Sequence, residues 1–189
     1  MAELTVSSKN PAGAKVDALV VGTHTTSDGV AIVGGDLPRP VVAALEDLAP
    51  ALGITGAADE VRKVPAGPDL KAGVLVLVGL GARRADGTFG AEALRRAAGA
   101  ALRALAGTAS VAVALPVEDD AQLAAVAEGA LLGTYTFARY RTGEAATSAG
   151  SRPPATVAIL AAALRAFAAT AAVARATVVA AAGGGGGGR

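Results

Sequence analysis

The residues of this sequence that could do chemistry lie in four short stretches, and the first is a glycine turn. Gly79–Gly81 follows the apolar run Val74–Val78 and precedes an apolar pattern with helical spacing. A strand, a glycine turn and a helix in this order are the setting of a phosphate-binding loop. The third glycine of a dinucleotide fingerprint would fall at Arg84, and the helical pattern starts only near Gly90. We therefore interpret both glycines as turn residues and assign no cofactor to this loop.

The second stretch is the densest basic cluster of the chain, which consists of Arg83, Arg84, Arg95, Arg96 and Arg103. Clustered arginines could contact the phosphates of a nucleic acid. The formal net charge is only +1, however, so no overall field favours a polyanion. We interpret the cluster as a solvated helix face, or as arginines paired with Glu92 or Asp86.

The third stretch has three adjacent carboxylates, and the fourth contains the only histidine. Glu118, Asp119 and Asp120 could bind a divalent cation, but acidic residues at a helix start more often cap the helix and complement its dipole. His24 lies in a polar segment, and no Gly-x-Ser-x-Gly nucleophile elbow occurs. We interpret His24 as a loop residue without a role, so the sequence assigns no catalytic, cofactor-binding or metal-binding residue.

The amino-acid composition excludes further kinds of functional site. The 189 residues contain no cysteine and one histidine, which excludes disulfides, thiolate chemistry and histidine-rich metal sites within them. This usage fits a cytoplasmic protein, and the N-terminus lacks the apolar segment of a signal peptide. The most apolar stretch, Ala155–Ala182, is interrupted by Arg165 and Arg175, which are costly at a bilayer centre. We expect no membrane span.

Apolar runs bounded by glycine and proline predict the elements that carry these residues. The predicted strands are Leu4–Ser8, Asp17–Gly22, Val30–Val33, Val61–Val64, Val74–Val78, Ser110–Leu115 and Thr156–Leu160. Four helices are predicted: from Pro40, with the buried face Val41, Ala44, Leu45, Leu48 and Leu52; from about Ala91 to Leu105; from Asp119 or Asp120 as far as Phe137 or Tyr140; and Leu164–Val179. The polar stretch His24–Gly29 is predicted to be a loop. This alternation predicts an α/β fold, a mixed sheet with helices on both faces.

One segment resembles a known family. Glu128–Thr142 has the sequence EGALLGTYTFARYRT. It is similar to the segment that closes the N-terminal domain of leucyl aminopeptidases, the M17 cytosolic metalloaminopeptidases, where the pattern is close to E-G-x-x-L-G-x-Y-x-F-D-x-Y-K. Tyr135, Phe137 and Tyr140 carry the specific part of this resemblance, and Ala138 departs from it because the family commonly has an acidic residue there.

The rest of the resemblance is less specific but extends over Leu4–Ala176. Val76–Gly81 followed by Leu94–Gly99 resembles the strand, loop and helix of that domain, and Asp17–Gly22 resembles its early strand. The resemblance implies a three-layer α/β/α, macro-domain-like N-terminal domain. It also implies a larger catalytic domain that binds two divalent ions, manganese or zinc, and removes N-terminal amino acids from peptides in a cytoplasmic hexamer.

Neither metal-site motif of that catalytic domain, V-G-K-G-x-x-x-D-x-G-G or N-T-D-A-E-G-R-L, occurs in this sequence. No catalytic residue is therefore carried over, and we expect this chain alone to be inactive. The implied organisation is an N-terminal domain over residues 1–150, a final strand and linker helix over 151–180 leading toward the absent catalytic domain, and a glycine-rich tail over 181–189 without an assigned fold. Its implied partners are that catalytic domain and further copies of itself.

Two alternatives stay open at this point. A macro-domain-like fold could bind a nucleotide or ADP-ribose, with Gly79–Gly90 as the candidate loop. The arginine cluster could bind nucleic acid, although the low net charge disfavours it.

Overall fold

Valine-rich runs form the centre of a single sheet, as their continuous apolar character predicts. The structure, a computed structural model, describes residues 3–35, 37–134 and 153–161. Within these ranges it has seven strands and three α-helices: β1 (Glu3–Ser7), β2 (Ala18–Thr26), β3 (Gly29–Val33), α1 (Arg39–Leu48), β4 (Val61–Pro65), β5 (Val74–Gly79), α2 (Ala91–Ala104), β6 (Ser110–Ala114), α3 (Asp120–Thr134) and β7 (Thr156–Leu160). The predicted helix Leu164–Val179, the glycine tail and the Tyr135/Phe137/Tyr140 motif lie outside the described residues.

The sheet is mixed and is built around β2. Its strand order is β1-β7-β6-β2-β5-β4, and β3 pairs with β2 beside this path. The first five strands of this order run parallel to one another, whereas β3 and β4 are antiparallel to their partners. Val20 of β2 is in register with Val76 of β5 on one side and with Val113 of β6 on the other.

Successive residues of β2 point to opposite faces, so the two faces have separate cores. Val20 packs in the core shared with α2 and α3, and Leu19 and Val21 pack in the core shared with α1. All three side chains are fully buried. Helices therefore cover both faces, and the predicted three-layer α/β/α mixed sheet is confirmed. The finer likeness to macro domains stays a prediction.

Two predictions about local structure are wrong, and the first concerns the polar stretch after Gly22. β2 continues through His24 to Thr26 and forms a hairpin with β3, in which Thr26 is in register with Gly29. The stretch is rich in threonine, and β-branched side chains favour strands even when they are polar. Polarity alone therefore suggested a loop where the chain forms a half-exposed strand.

The second error concerns α1. Of the face predicted to be buried, only Leu45 is buried, whereas Leu48 is 52% exposed and Leu52 is 41% exposed. The helix ends at Leu48, earlier than predicted, because Pro50 has no N–H to continue the hydrogen-bond pattern and its ring obstructs the preceding turn. Ala49 and Ile54 are buried instead.

The free edge of β3 is held by α1. The backbone N–H of Ile32 donates to Oε1 of Glu46 over 3.0 Å. Helix and strand are thereby joined by a bond between a side chain and the backbone, in addition to their apolar contact.

Glycines allow α2 and α3 to pack with their backbones in contact. A Cβ on Gly129 would lie 2.0 Å from the carbonyl oxygen of Arg95, and one on Gly133 would lie 2.6 Å from that of Gly99. Neither distance is available to a real side chain, so this helix pair requires glycine at both α3 positions.

Gly129→Ala is expected to destabilise the domain by at least about 2 kcal/mol, because the clash outweighs the gain in helix propensity. Urea unfolding followed by circular dichroism measures the change. Gly67→Ala is the matched control, since nothing lies within 4 Å of its Cβ position. Equal stability of the two variants would contradict the close packing of α2 and α3.

Candidate functional site at the carboxyl ends of the central strands

The carboxyl end of β5 lies beside β2, where Gly79 is in register with Thr23, and β2 continues beyond this point to Thr26. Ligand sites of open α/β sheets occur outside such strand ends. Two loops meet there: residues 80–90 after β5, which contain the second glycine of the predicted turn, and residues 54–60 before β4.

Gly79 and Gly81 bring these two loops together. A Cβ on Gly79 would lie 1.7 Å from the carbonyl oxygen of Ala57, and Gly81 has a positive φ of 75°. The Gly79 N–H donates to the Glu60 carbonyl at 2.7 Å, and the Gly81 N–H donates to that of Gly56 at 3.0 Å. Gly79, the last residue of β5, thus serves a close approach of backbone to backbone, and Gly81 turns the chain with its positive φ. The interpretation as a turn residue is supported for Gly81.

The carboxylate of Glu60 organises the shorter loop. Its Oε2 accepts hydrogen bonds from the Thr55 N–H at 2.9 Å, the Thr55 hydroxyl at 3.0 Å and the Gly56 N–H at 3.0 Å. Arg62 adds an ion pair of 3.2 Å. Burial opposes ionisation of Glu60, but these bonds and the cation together hold its pKa below the ordinary value.

Glu60→Gln is expected to lower the free energy of unfolding at pH 7 by about 1–2 kcal/mol, because the amide cannot accept the same set of bonds. The pKa of Glu60 is lowered in the fold, so its stabilisation is present above about pH 4.5 and lost as pH falls through the folded value. Denaturant unfolding from about pH 7 to about pH 3 should therefore give a flatter acid dependence for the variant.

The control for this substitution is Glu92→Gln, which removes a more exposed carboxylate paired with Arg95. Its effect should stay below about 1 kcal/mol. Equal losses in the two variants would show that the Glu60 bonds do not stabilise the loop.

His24 lies in β2 and not in a loop, which corrects the prediction. It is 7% exposed, and its ring packs edge-on against Phe89 with centroids 5.5 Å apart. Nδ1 lies 3.1 Å from the Thr25 carbonyl, and the Arg83 guanidinium is 5.2 Å from the Phe89 centroid. Burial lowers the pKa of His24, and the nearby positive charge of Arg83 lowers it further.

The single histidine makes this environment directly measurable. The ¹H–¹³C NMR titration of His24 is expected to have its midpoint below 6.5, its ordinary pKa. Because the folded pKa is lowered, thermal stability should fall as pH drops below about 6.5 toward the folded value, and His24→Phe should remove that dependence. Phe89→Leu should raise the midpoint by admitting water. A midpoint at or above 6.5 would contradict the burial.

Two of the five arginines of the cluster form ion pairs within the described part of the chain. Arg95 pairs with Glu92 and, at 3.8 Å, with Glu128, and Arg96 pairs with Asp59. Pairing with Glu92 is thus confirmed. Asp86 makes no direct ion pair among the described residues. Its carboxyl accepts bonds from the N–H and hydroxyl of Thr88, which lower its pKa, and the positive charge of Arg84 lowers it further.

The two paired arginines share one depression on the surface with Arg103. It has a volume of about 280 Å³ and lies between α2 and α3, with Arg95, Arg96 and Arg103 in its lining. Asp59 and Glu92 line the same depression, so the acidic partners are present with the cations. This arrangement supports the interpretation of a structural ion-pair network over that of a phosphate-binding surface.

The acidic triplet caps α3. Oδ1 of Asp119 accepts a hydrogen bond from the Gln122 N–H at 2.7 Å, and Oε1 of Gln122 accepts one from the Glu118 N–H at 2.7 Å. Nε2 of Gln122 also donates to the Phe89 carbonyl at 3.0 Å, which joins this cap to the loop of residues 80–90. The predicted cap is confirmed for Asp119. Gln122 was missed, although a glutamine three residues after an N-cap aspartate is a capping-box signal.

These residues do not fit a metal site. Asp119 is used as a cap, and no group of three or more histidine, aspartate or glutamate residues suited to a metal ion occurs in the described part of the chain.

A cavity of about 300 Å³ does open at the carboxyl ends of β1, β6 and β7, beside Lys9, Gly34 and Leu115. The candidate nucleotide loop Gly79–Gly90 contributes no residue to its lining.

Comparison with known proteins decides the family. The model of the N-terminal domain of the cytosol aminopeptidase family matches residues 20–144. The chain belongs to this family. The match runs from within β2 through α3 and thus includes both loops described above, together with the whole Tyr135/Phe137/Tyr140 motif.

Relatives named as cytosol aminopeptidases are considerably longer than this chain. A probable cytosol aminopeptidase of Micrococcus luteus is 47% identical over 137 residues, which are 72% of this chain and 27% of the relative. A probable cytosol aminopeptidase of Streptomyces avermitilis is 42% identical over 170 residues, which are 85% of this chain and 33% of the relative. The chain thus spans about a third of the length of these relatives or less.

Solved structures show the same fold. The bottromycin maturation enzyme BotP in complex with Mn is similar with a TM-score of 0.57 and 27% identity, over 87% of this chain and 31% of that one. A tomato leucine aminopeptidase mutant is similar with a TM-score of 0.64 over 93% of this chain and 35% of that one; at 14% identity this likeness shows the fold alone. In the described ranges, no helix is both long and apolar enough to cross a bilayer.

Proposed function

We propose that this chain is the non-catalytic N-terminal domain of a leucyl aminopeptidase. The match of residues 20–144 to the N-terminal domain of the cytosol aminopeptidase family carries this proposal. The relatives are about three times as long, so the remaining two thirds of such a protein would contain the catalytic domain. The whole protein would remove N-terminal amino acids from peptides, with two divalent ions, manganese or zinc, activating the attacking water.

The chemistry of the residues present supports a non-catalytic role. Neither metal-site motif that the family resemblance implies occurs in the sequence. Of the adjacent carboxylates Glu118, Asp119 and Asp120, that of Asp119 is engaged in the cap of α3, and no metal-binding group of three or more acidic or histidine residues occurs among the described residues. Since these residues do not fit a metal ion, no step of the reaction is assigned to them. The manganese of BotP belongs to that protein and supports only the class of cofactor expected for the whole enzyme.

The proposed organisation follows the same division. Residues 1–150 would form the N-terminal domain, 151–180 a last strand and a linker helix toward the catalytic domain, and 181–189 a tail without a fold. The partners would be that catalytic domain and further subunits of a hexamer, in the cytoplasm. The names of the relatives, cytosol aminopeptidases, support this location and this parent.

The purified 189-residue chain is expected to show no hydrolysis of leucine p-nitroanilide with added Mn²⁺ or Zn²⁺, because neither metal-site motif of the family occurs in its sequence. The full-length Micrococcus luteus relative, assayed under the same conditions, is the positive control. Turnover by this chain that is abolished by a chelator would contradict the assignment of the catalytic site to another domain.

A further inference from the structure

The outward face of α1 is unusually apolar for a surface helix. Leu48 is 52% exposed, and Ala43 and Ala44, one turn before it, are also exposed. The turn after the helix adds Leu52, which is 41% exposed. Solvent-facing helix positions are normally polar or charged. This face therefore has the composition of a contact surface.

Only two charged residues lie fully exposed on this helix, and they have opposite signs. Arg39 begins α1 and Asp47 lies in its last turn. The third charged residue, Glu46, is partly buried and bonded to Ile32. Neither Arg39 nor Asp47 makes an ion pair with another residue of the described chain. They are eight positions apart, which is about 12 Å along the helix.

This arrangement is complementary to itself. If two α1 helices pack antiparallel about a two-fold axis near Ala43, position 39 of each copy faces position 47 of the other. The small side chains of Ala43 and Ala44 then lie at the axis and allow close approach, and each Leu48 covers the first turn of the other helix beside Pro40. A two-fold interface needs such a self-complementary surface. We propose that the outward face of α1 is a docking surface for a second copy of this chain.

The size of the surface sets the strength of the contact. α1 is ten residues, or about 15 Å, long, so the contact is smaller than the ~800 Å² per partner typical of stable complexes. The dimer should therefore be weak in the isolated chain, with a Kd on the order of 100 µM. The two charges favour a second copy of this chain over an unrelated partner, because the same helix carries both the cation and the anion that the two ion pairs need. The inference does not depend on the aminopeptidase assignment.

Charge reversal tests the register of this interface. Sedimentation equilibrium of the 189-residue chain from about 10 µM to about 1 mM should show a monomer–dimer equilibrium. Arg39→Glu alone and Asp47→Arg alone should each weaken association at least tenfold, since each places like charges opposite one another. The double variant Arg39→Glu/Asp47→Arg should return to within about threefold of the original Kd.

Loss of folding cannot imitate these results. An acidic residue in the first helical turn and a basic one in the last complement the helix dipole, so each reversal leaves α1 intact or more stable. Leu48→Ser should weaken association, whereas Leu132→Ser, at a leucine 61% exposed on α3, and Arg103→Glu should not. Absence of association at about 1 mM, or a double variant that associates no better than the single ones, would overturn the proposal. Equal weakening by Leu132→Ser would place the contact elsewhere and would also overturn it.

Discussion

The structure depends on β2, a strand enclosed on both faces and both edges. Leu19, Val20 and Val21 have no measurable exposure, and β5 and β6 bond to the two sides of the strand. A polar residue in this segment would meet apolar atoms whichever way it pointed. Every other layer is positioned relative to this strand: α1 lies against one face, and α2 and α3 lie against the other.

Glycines replace side chains as the means of packing at the end of β5 and between α2 and α3. Gly79 lets the carbonyl of Ala57 approach the end of β5, and Gly129 lets α2 and α3 touch. Space that a ligand would need is thus filled by backbone. The glycine turn suggested by the sequence as a nucleotide loop is in this way part of the scaffold, in agreement with the membership of a family whose N-terminal domain this chain represents.

Features fixed by local sequence were predictable. The apolar run Val74–Val78 became β5, Asp119 caps the helix that follows it, and Arg95 pairs with Glu92 three residues away. Features that depend on residues far apart in the sequence were not predictable. Asp59 and Arg96 are paired across 37 positions, and the burial of His24 depends on Phe89 from another loop. The exposure of Leu48 follows from the early end of α1. Pro50 was a local signal for that end, but the apolar residues at helical spacing predicted a longer helix.

The bond between Glu46 and Ile32 also bears on solubility. An edge strand offers unpaired N–H groups on which another chain can add a strand and begin to aggregate. On β3 the carboxylate of Glu46 already occupies the N–H of Ile32, so an incoming strand would have to displace a charged group. At one margin of the sheet, β4 carries Arg62, Lys63 and Pro65, which likewise discourage strand addition. The same helix α1 thus protects the edge of β3 against strand addition while it presents an apolar face of its own.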